Sequence, residues 1–244
     1  MILDIWTVMR KELREYLTKS GAGRRGRMSY LIYIVVFGVF FPMNGGVEGV
    51  ETGISIFFLA WLPFLLVSSV IADAIAGERE RKTLETLLST PLSDQAILFG
   101  KMLAAILFGV AVTWICVIAN IITVNVAFPG QGFINYPLPI LAGVVIGGFL
   151  AAGLASGAGV LISLRSPTAR QAAQIMSLST IVIFLPFYMI PFLPEEWLNI
   201  GKTYLMSVDP ITLVMMIAFG ILFLNIFLFW LARKRFQRAR LILS

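Results

Sequence analysis

The chain has 244 residues, 59% of them hydrophobic and 13% charged, with a formal net charge of +6. Soluble domains run nearer roughly 45–50% apolar and 25% charged, so this composition excludes a soluble fold and indicates an integral membrane protein. The single cysteine, Cys116, excludes an intrachain disulfide and a thiol metal cluster, and the absence of histidine removes the commonest metal ligand and general base.

Residues 2–17 set Ile2, Ile5, Trp6, Met9, Leu13, Tyr16 and Leu17 along one helical stripe, with Asp4, Arg10, Lys11, Glu12, Arg14 and Glu15 mostly elsewhere. Such a helix lies in the membrane interface rather than across it. Charges throughout it argue against a signal peptide. The following GAGRRGR, residues 21–27, reads as a flexible hinge whose arginines attract anionic lipid at about 1 kcal/mol each.

A helix crosses a bilayer with roughly 20 apolar residues. Six such spans are expected, near residues 28–43, 53–76, 98–127, 138–164, 172–193 and 211–232. Lys and Arg then decide orientation, because 18 of the 19 fall before the first span, between Arg79 and Lys101, at Arg165 and Arg170, or after Leu231. Only Lys202 falls outside these segments, beside Glu48, Glu51, Glu195, Glu196 and Asp209, so both termini are expected in the cytosol. The net basicity is topological and needs no nucleic-acid partner.

Between the second and third spans, five of the six residues from Glu78 to Thr83 are charged. Leu84, Leu87 and Leu88 follow at the spacing of one helix face. The pattern predicts one short amphipathic helix, with Glu78 and Glu80 at its positive start, Glu78 paired to Lys82, and Pro91 as its stop. Ser93 is placed to cap the next helix.

The fourth span carries Gly143, Gly147, Ala151, Ala155 and Gly159, with Gly153 and Gly157 as a second small-residue pair, a pattern for close packing inside the bundle. The fifth is interrupted by Pro186, Pro191 and Pro194. A bent end and a short re-entrant or surface helix are expected over residues 191–209. No internal repeat is visible, which leaves inverted-repeat carriers unsupported.

The order E-R-x-x-x-T-L-E-x-L-L-x-T-P-x-S, then G-K, resembles the first cytosolic loop of the type-2 permeases of ATP-binding-cassette (ABC) transporters. It matches at Glu78, Arg79, Thr83, Leu84, Glu85, Leu87, Leu88, Thr90, Pro91, Ser93, Gly100 and Lys101. KELREYL near the N-terminus and P-x-x-P-x-x-W before Pro210 are similar to other parts of the same family. The chain departs from some members in having no large soluble domain between its first two spans.

The resemblance implies an all-α polytopic membrane protein of six transmembrane helices with an N-terminal amphipathic interface helix and a short cytosolic coupling helix. Residues 1–27 would be the interface helix and hinge, 28–232 the transmembrane domain with its coupling loop at 77–97, and 233–244 a basic tail. Glu78, Arg79, Thr83, Leu84, Glu85, Leu87, Leu88 and Pro91 would dock an ATPase. The charges would set the electrostatics, and the leucines would fill a cleft in the ATPase or brace the loop on the membrane helices. The family's second and fifth helices line the path at a dimer seam. That makes Phe57, Phe58, Trp61, Phe64, Phe184 and Phe187 path candidates, suited to a lipid-like, amphipathic or apolar-peptide cargo, with plain packing or lipid contact as the other reading.

No formal charge sits in the middle of an expected span. Asp73 and Lys101, near span ends, read as membrane-end anchors. Ion-coupled pumps need ionisable groups at depth, so the energy source is expected outside the bilayer. The chain has no phosphate-binding loop: before Gly100-Lys101, Gln95 stands where the first glycine belongs, and Met102 replaces Ser or Thr. The expected function is therefore a non-enzymatic permease subunit of an exporter in the plasma membrane. It would be homodimeric or heterodimeric, in contact with lipid, and powered by a separate ATPase that carries the ATP and Mg. The alternative is a non-transporting immunity, assembly or regulatory module that keeps the docking loop. A membrane protease is excluded by the missing histidine.

Overall fold

The computed structural model describes residues 1–19, 31–51 and 53–236, and every regular element among them is helical. The glycine-arginine hinge and residues 237–244 of the basic tail lie outside the described residues. Helix α1 is Ile2–Lys19, and α2 is Leu31–Val50, kinked at Gly46, whose φ is 57°. Helices α3 (Gly53–Ile71) and α4 (Asp73–Glu80) stack end to end, and the five-residue α5 is Leu84–Leu88. The longer α6 (Asp94–Ala127), α7 (Leu138–Arg165), α8 (Ala169–Met189), α9 (Glu195–Ser207) and α10 (Pro210–Arg235) complete the chain.

Among the described residues, five helical stretches are long and apolar enough to cross a membrane: Leu31–Val50, Phe58–Glu80, Asp94–Ala127, Leu138–Arg165 and Ile211–Arg235. Each coincides with an expected span to within a few residues at most ends. The remaining expected span falls on α8, whose first turns carry Arg170, Gln171 and Gln174. Pro186 does not interrupt α8, which runs on to Met189 and then tightens into a 3-10 turn at Ile190–Phe192. Within residues 191–209, α9 starts after Pro194. Arg233, Lys234 and Arg235, expected in the tail, form the last turn of α10, where cations offset the helix dipole.

Helix α6, 34 residues and on the order of 50 Å long, is the central post, longer than the roughly 30 Å hydrocarbon core. Small residues set what lies against it. A Cβ at Gly109 would come within 2.7 Å of Val67 on α3, and one at Gly38 within 2.7 Å of Ala119, so backbones touch at both places. Beside Gly38, α2 widens into a π-helical turn at Val36–Phe40. Such a turn frees carbonyls, and α6 supplies donors for two of them: Asn120 Nδ2 donates to Phe37 O at 3.2 Å and Thr123 Oγ1 to Gly38 O at 2.8 Å.

The two small-residue strips of α7 take different neighbours, as internal packing requires. Gly147 and Gly148 meet Ala60 and Pro63 of α3, and Gly159 meets Ile71. Gly153 and Gly157 meet Asn225, Leu228 and Phe229 of α10. Asn225 donates to Leu150 O and Ile221 O, both at 3.0 Å, and is a buried polar tie on a helix that is otherwise largely exposed.

Candidate functional site

The charged stretch after the second span is built differently from the single helix that its pattern predicts. Glu78 and Glu80 belong to the last turn of α4, not to the first turn of the loop helix. The break falls at Lys82, whose φ of 58° is left-handed. Thr83 N–H bonds to Glu78 O at 2.9 Å and Lys82 N–H to Arg79 O at 3.1 Å, the paired bonds of a Schellman stop with lysine where glycine usually stands. Helix α5 then starts at Leu84 and ends at Leu88, before Pro91 is reached. Ser93 does cap α6, accepting from Ala96 N at 3.2 Å.

The end of α4 is pinned on three sides. Arg79 donates to Ser166 O at 3.1 Å and Leu164 O at 3.2 Å, satisfying carbonyls at the C-terminal end of α7. Glu80 accepts from Ala169 N at 3.1 Å, at the N-terminal end of α8. The cation meets a negative helix end and the anion a positive one, which is the favourable sense for both dipoles. Asp73 pairs with Arg81 at 3.1 Å across the face of Gly77, where any side chain would collide with the carboxylate.

Glu78 points inward. Lys101 Nζ lies 2.6 Å from Glu78 Oε1 and 2.8 Å from Glu12 Oε1, and the three side chains are only 7%, 5% and 3% exposed for Glu78, Glu12 and Lys101. Lys101 is therefore not a membrane-end anchor reaching for water, because its partners arrive from α1 and α4 instead. The expected Glu78–Lys82 pair is replaced by this one, since the left-handed turn takes Lys82 off the helix face. Lys11 extends the alternation of sign, 3.6 Å from Glu12 and 3.1 Å from Glu15. Burial pulls the Lys11 ammonium down, but Glu12 and Glu15 outweigh it and its pKa is raised. Burial first, and then the carboxylates Glu12, Asp73, Glu15 and Glu78, push the Tyr16 phenol well above its ordinary value, so it stays protonated.

The adjacent Gly100 explains why α1 comes so close. A Cβ there would lie 2.6 Å from Val8 Cβ, so the glycine seats α1 on α6 while Lys101 ties it. Val8 and Met9 are buried by this contact, whereas Ile2, Leu3, Trp6 and Leu17 stay exposed.

A second polar device lies at the α3–α4 junction. Ser163 Oγ, fully buried on α7, accepts from Ile75 N at 3.2 Å and Ala76 N at 2.9 Å and donates to Ala72 O at 2.9 Å. One hydroxyl thus serves backbone groups at the turn between the membrane helix and its charged extension.

The docking candidates divide accordingly. Leu84 is buried and Leu87 packs partly against the core, bracing α5 on the bundle. Thr83, Glu85 and Pro91 are exposed. The Leu88 side chain lies outside the described residues, as do those of Phe57 and Phe187. Of the aromatic candidates, Trp61 stacks on Phe64 at 4.8 Å and meets Phe184 edge-on at 5.1 Å, joining α3 to α8. Phe64 is buried, and Phe58 lies against Phe41 of α2 at 5.1 Å. Glu12, Ser163 and Asn225 escape a sequence reading. The one signal for Glu12 is that it follows the buried Val8 by a single helical turn.

Several apolar helices long enough to span a bilayer, gathered into one bundle, define a multi-pass membrane protein. Residues 62–206 match the family described as ABC-2 family transporter protein, and the chain belongs to that family. It is also 34% identical over 151 residues to the ABC transporter permease protein NatB of Bacillus subtilis (strain 168). That match takes in 57% of this chain and 38% of NatB, so the chain spans well under half of that relative.

Proposed function

We propose that the chain is the membrane subunit of an ABC exporter, driven by a separate ATPase that docks on α5. The observation that carries this reading is the way α5 is mounted. Leu84 seats it on the bundle, Glu85 and Thr86 face outward, and the helices that flank it are locked together by Glu78 and Lys101. A push on α5 therefore reaches α4, α6 and α1 as a unit.

In this reading Thr83, Glu85 and Pro91 meet the ATPase, Leu88 joins them, and Glu78 and Arg79 act inside the subunit as ties. Helix α8 serves as a sixth span, which puts both termini in the cytosol, α1 along the inner interface and α9 on the outer side of the plasma membrane. Two such subunits face each other across α3 and α8. The exposed Phe58 and the Trp61–Phe184 contact suit a lipid-like, amphipathic or apolar-peptide cargo. Nucleotide and Mg belong to the partner, and this chain performs no catalysis.

The test is charge reversal on the exposed face. With the complex in vesicles, Glu85→Lys is expected to abolish cargo-stimulated ATP hydrolysis while the membrane content of the chain stays at the wild-type level. Unaltered stimulation refutes docking through α5.

A further inference from the structure

Where α7, α8 and α10 meet, at the same end of the bundle as α5, Leu161, Ile162, Arg165, Ile175, Leu231 and Arg235 line an open groove of about 320 Å³. Its walls are aliphatic, and its two cations are the last residues of α7 and α10. Among the described residues neither guanidinium forms a salt bridge. Arg165 is not required at its own helix end either, because Arg79 already binds the carbonyls of Leu164 and Ser166.

That combination selects the occupant by chemistry. A free anion gains nothing from an aliphatic wall, and an apolar helix leaves two guanidiniums unpaired. The chain's own C-terminal residues bring Arg238 and Arg240, of the same sign as the groove. We propose that the groove holds an anionic phospholipid, with an acyl chain against Leu161, Ile162, Ile175 and Leu231 and the phosphate between Arg165 and Arg235. Basic pockets between membrane helices bind such headgroups, and guanidinium forks fit phosphate in two-point contacts. The lipid is a resident of the fold and not its cargo, so the inference stands apart from the transport reading. The lipid adds a contact between α7 and α10 beside Asn225 and the two glycines, which already join them.

The experiment is native mass spectrometry of the full-length chain in detergent, titrated with phosphatidylglycerol or phosphatidylcholine. Phosphatidylglycerol adducts are expected to exceed phosphatidylcholine adducts by roughly tenfold, and Arg165→Gln with Arg235→Gln is expected to remove that excess. Ile175→Trp, which fills the groove, is expected to reduce the adducts, while Leu178→Trp on an exposed face of the same helix leaves them unchanged. Equal retention of the two lipids overturns the proposal, as does displacement of phosphatidylglycerol by inorganic phosphate, which marks a free-anion site. If the double arginine variant does not fold, undiminished phosphatidylglycerol adducts on folded Ile175→Trp overturn it alone.

Discussion

The two sides of the bundle are held by different forces. Around α4, its own polar side chains and those of α1, α6 and α7 close on backbone groups and on one another, through Arg79, Glu80, Glu12, Lys101 and Ser163. Along α8 and α10 the surface is apolar and open: Leu178, Ile181, Val182, Phe219 and Phe223 are each at least 60% exposed. In lipid, apolar surface supplies no drive for helices to associate, so geometry must come from close backbone packing and polar ties. The charged end has many such ties. The apolar face has few.

The largest expected effect follows from removing the centre of the tied region. Lys101→Met leaves Glu12 and Glu78 buried and facing each other, and breaking a buried pair in this way costs about 3–5 kcal/mol. The melting temperature of the purified protein should fall sharply, and adding Glu12→Gln and Glu78→Gln should restore most of it, because an uncharged site has nothing left to neutralise. If the single variant melts like the wild type, the cluster is not holding α1 and α4 together.

Next comes Ser163→Ala. Ile75 N–H and Ala76 N–H lose their acceptor in a buried site, an expected loss of about 1–3 kcal/mol, read by thermal denaturation. The substitution also tests whether the α3–α4 junction is a stiff joint. Amide exchange should quicken across Ala72–Ala76 and stay unchanged in α7 beyond its last turns. Uniform loosening of the bundle would deny the junction any separate character.

On the opposite face, Asn225→Leu should matter less, about 0.6 kcal/mol on average for a hydrogen bond between membrane helices. If it cost as much as Ser163→Ala, the contrast between the two regions would collapse. An intermediate value would place α10 among the fixed helices.

How much of this was legible depended on the kind of force involved. Apolar runs marked five of the spans to within a few residues at most ends, because hydropathy and length are local properties, and the glycine strips of α7 announced close packing for the same reason. Most of the polar ties were hidden because they join residues 75 to 91 positions apart, such as Lys101 with Glu12, Ser163 with Ala72 and Asn225 with Leu150. Nothing near Glu12 in sequence states that a lysine from another helix will neutralise it. The loop resemblance marked Glu78, Gly100 and Lys101 without revealing that they act inward, as two halves of a clasp and the seat beside it. The break between α4 and α5 was missed for a narrower reason, since the residue that makes the turn is not the glycine that usually signals one.

That residue carries a small effect of the opposite sign. Lys82 holds a left-handed φ of 58°, a conformation costing an L-residue roughly 1–2 kcal/mol that glycine avoids, although glycine loses more chain entropy on folding. Lys82→Gly should therefore stabilise the folded chain by a few tenths to about 1 kcal/mol in thermal melts. The exposed side chain forms no salt bridge among the described residues, so little opposes the gain. If the variant is stabilised but coupled ATP hydrolysis falls, lysine is kept at the turn for the ATPase rather than for the fold. If it is destabilised, the α4 stop is not the strained one that its backbone angles describe, and the stiffness attributed to this end of the molecule must come from the Lys101 clasp and Ser163 alone.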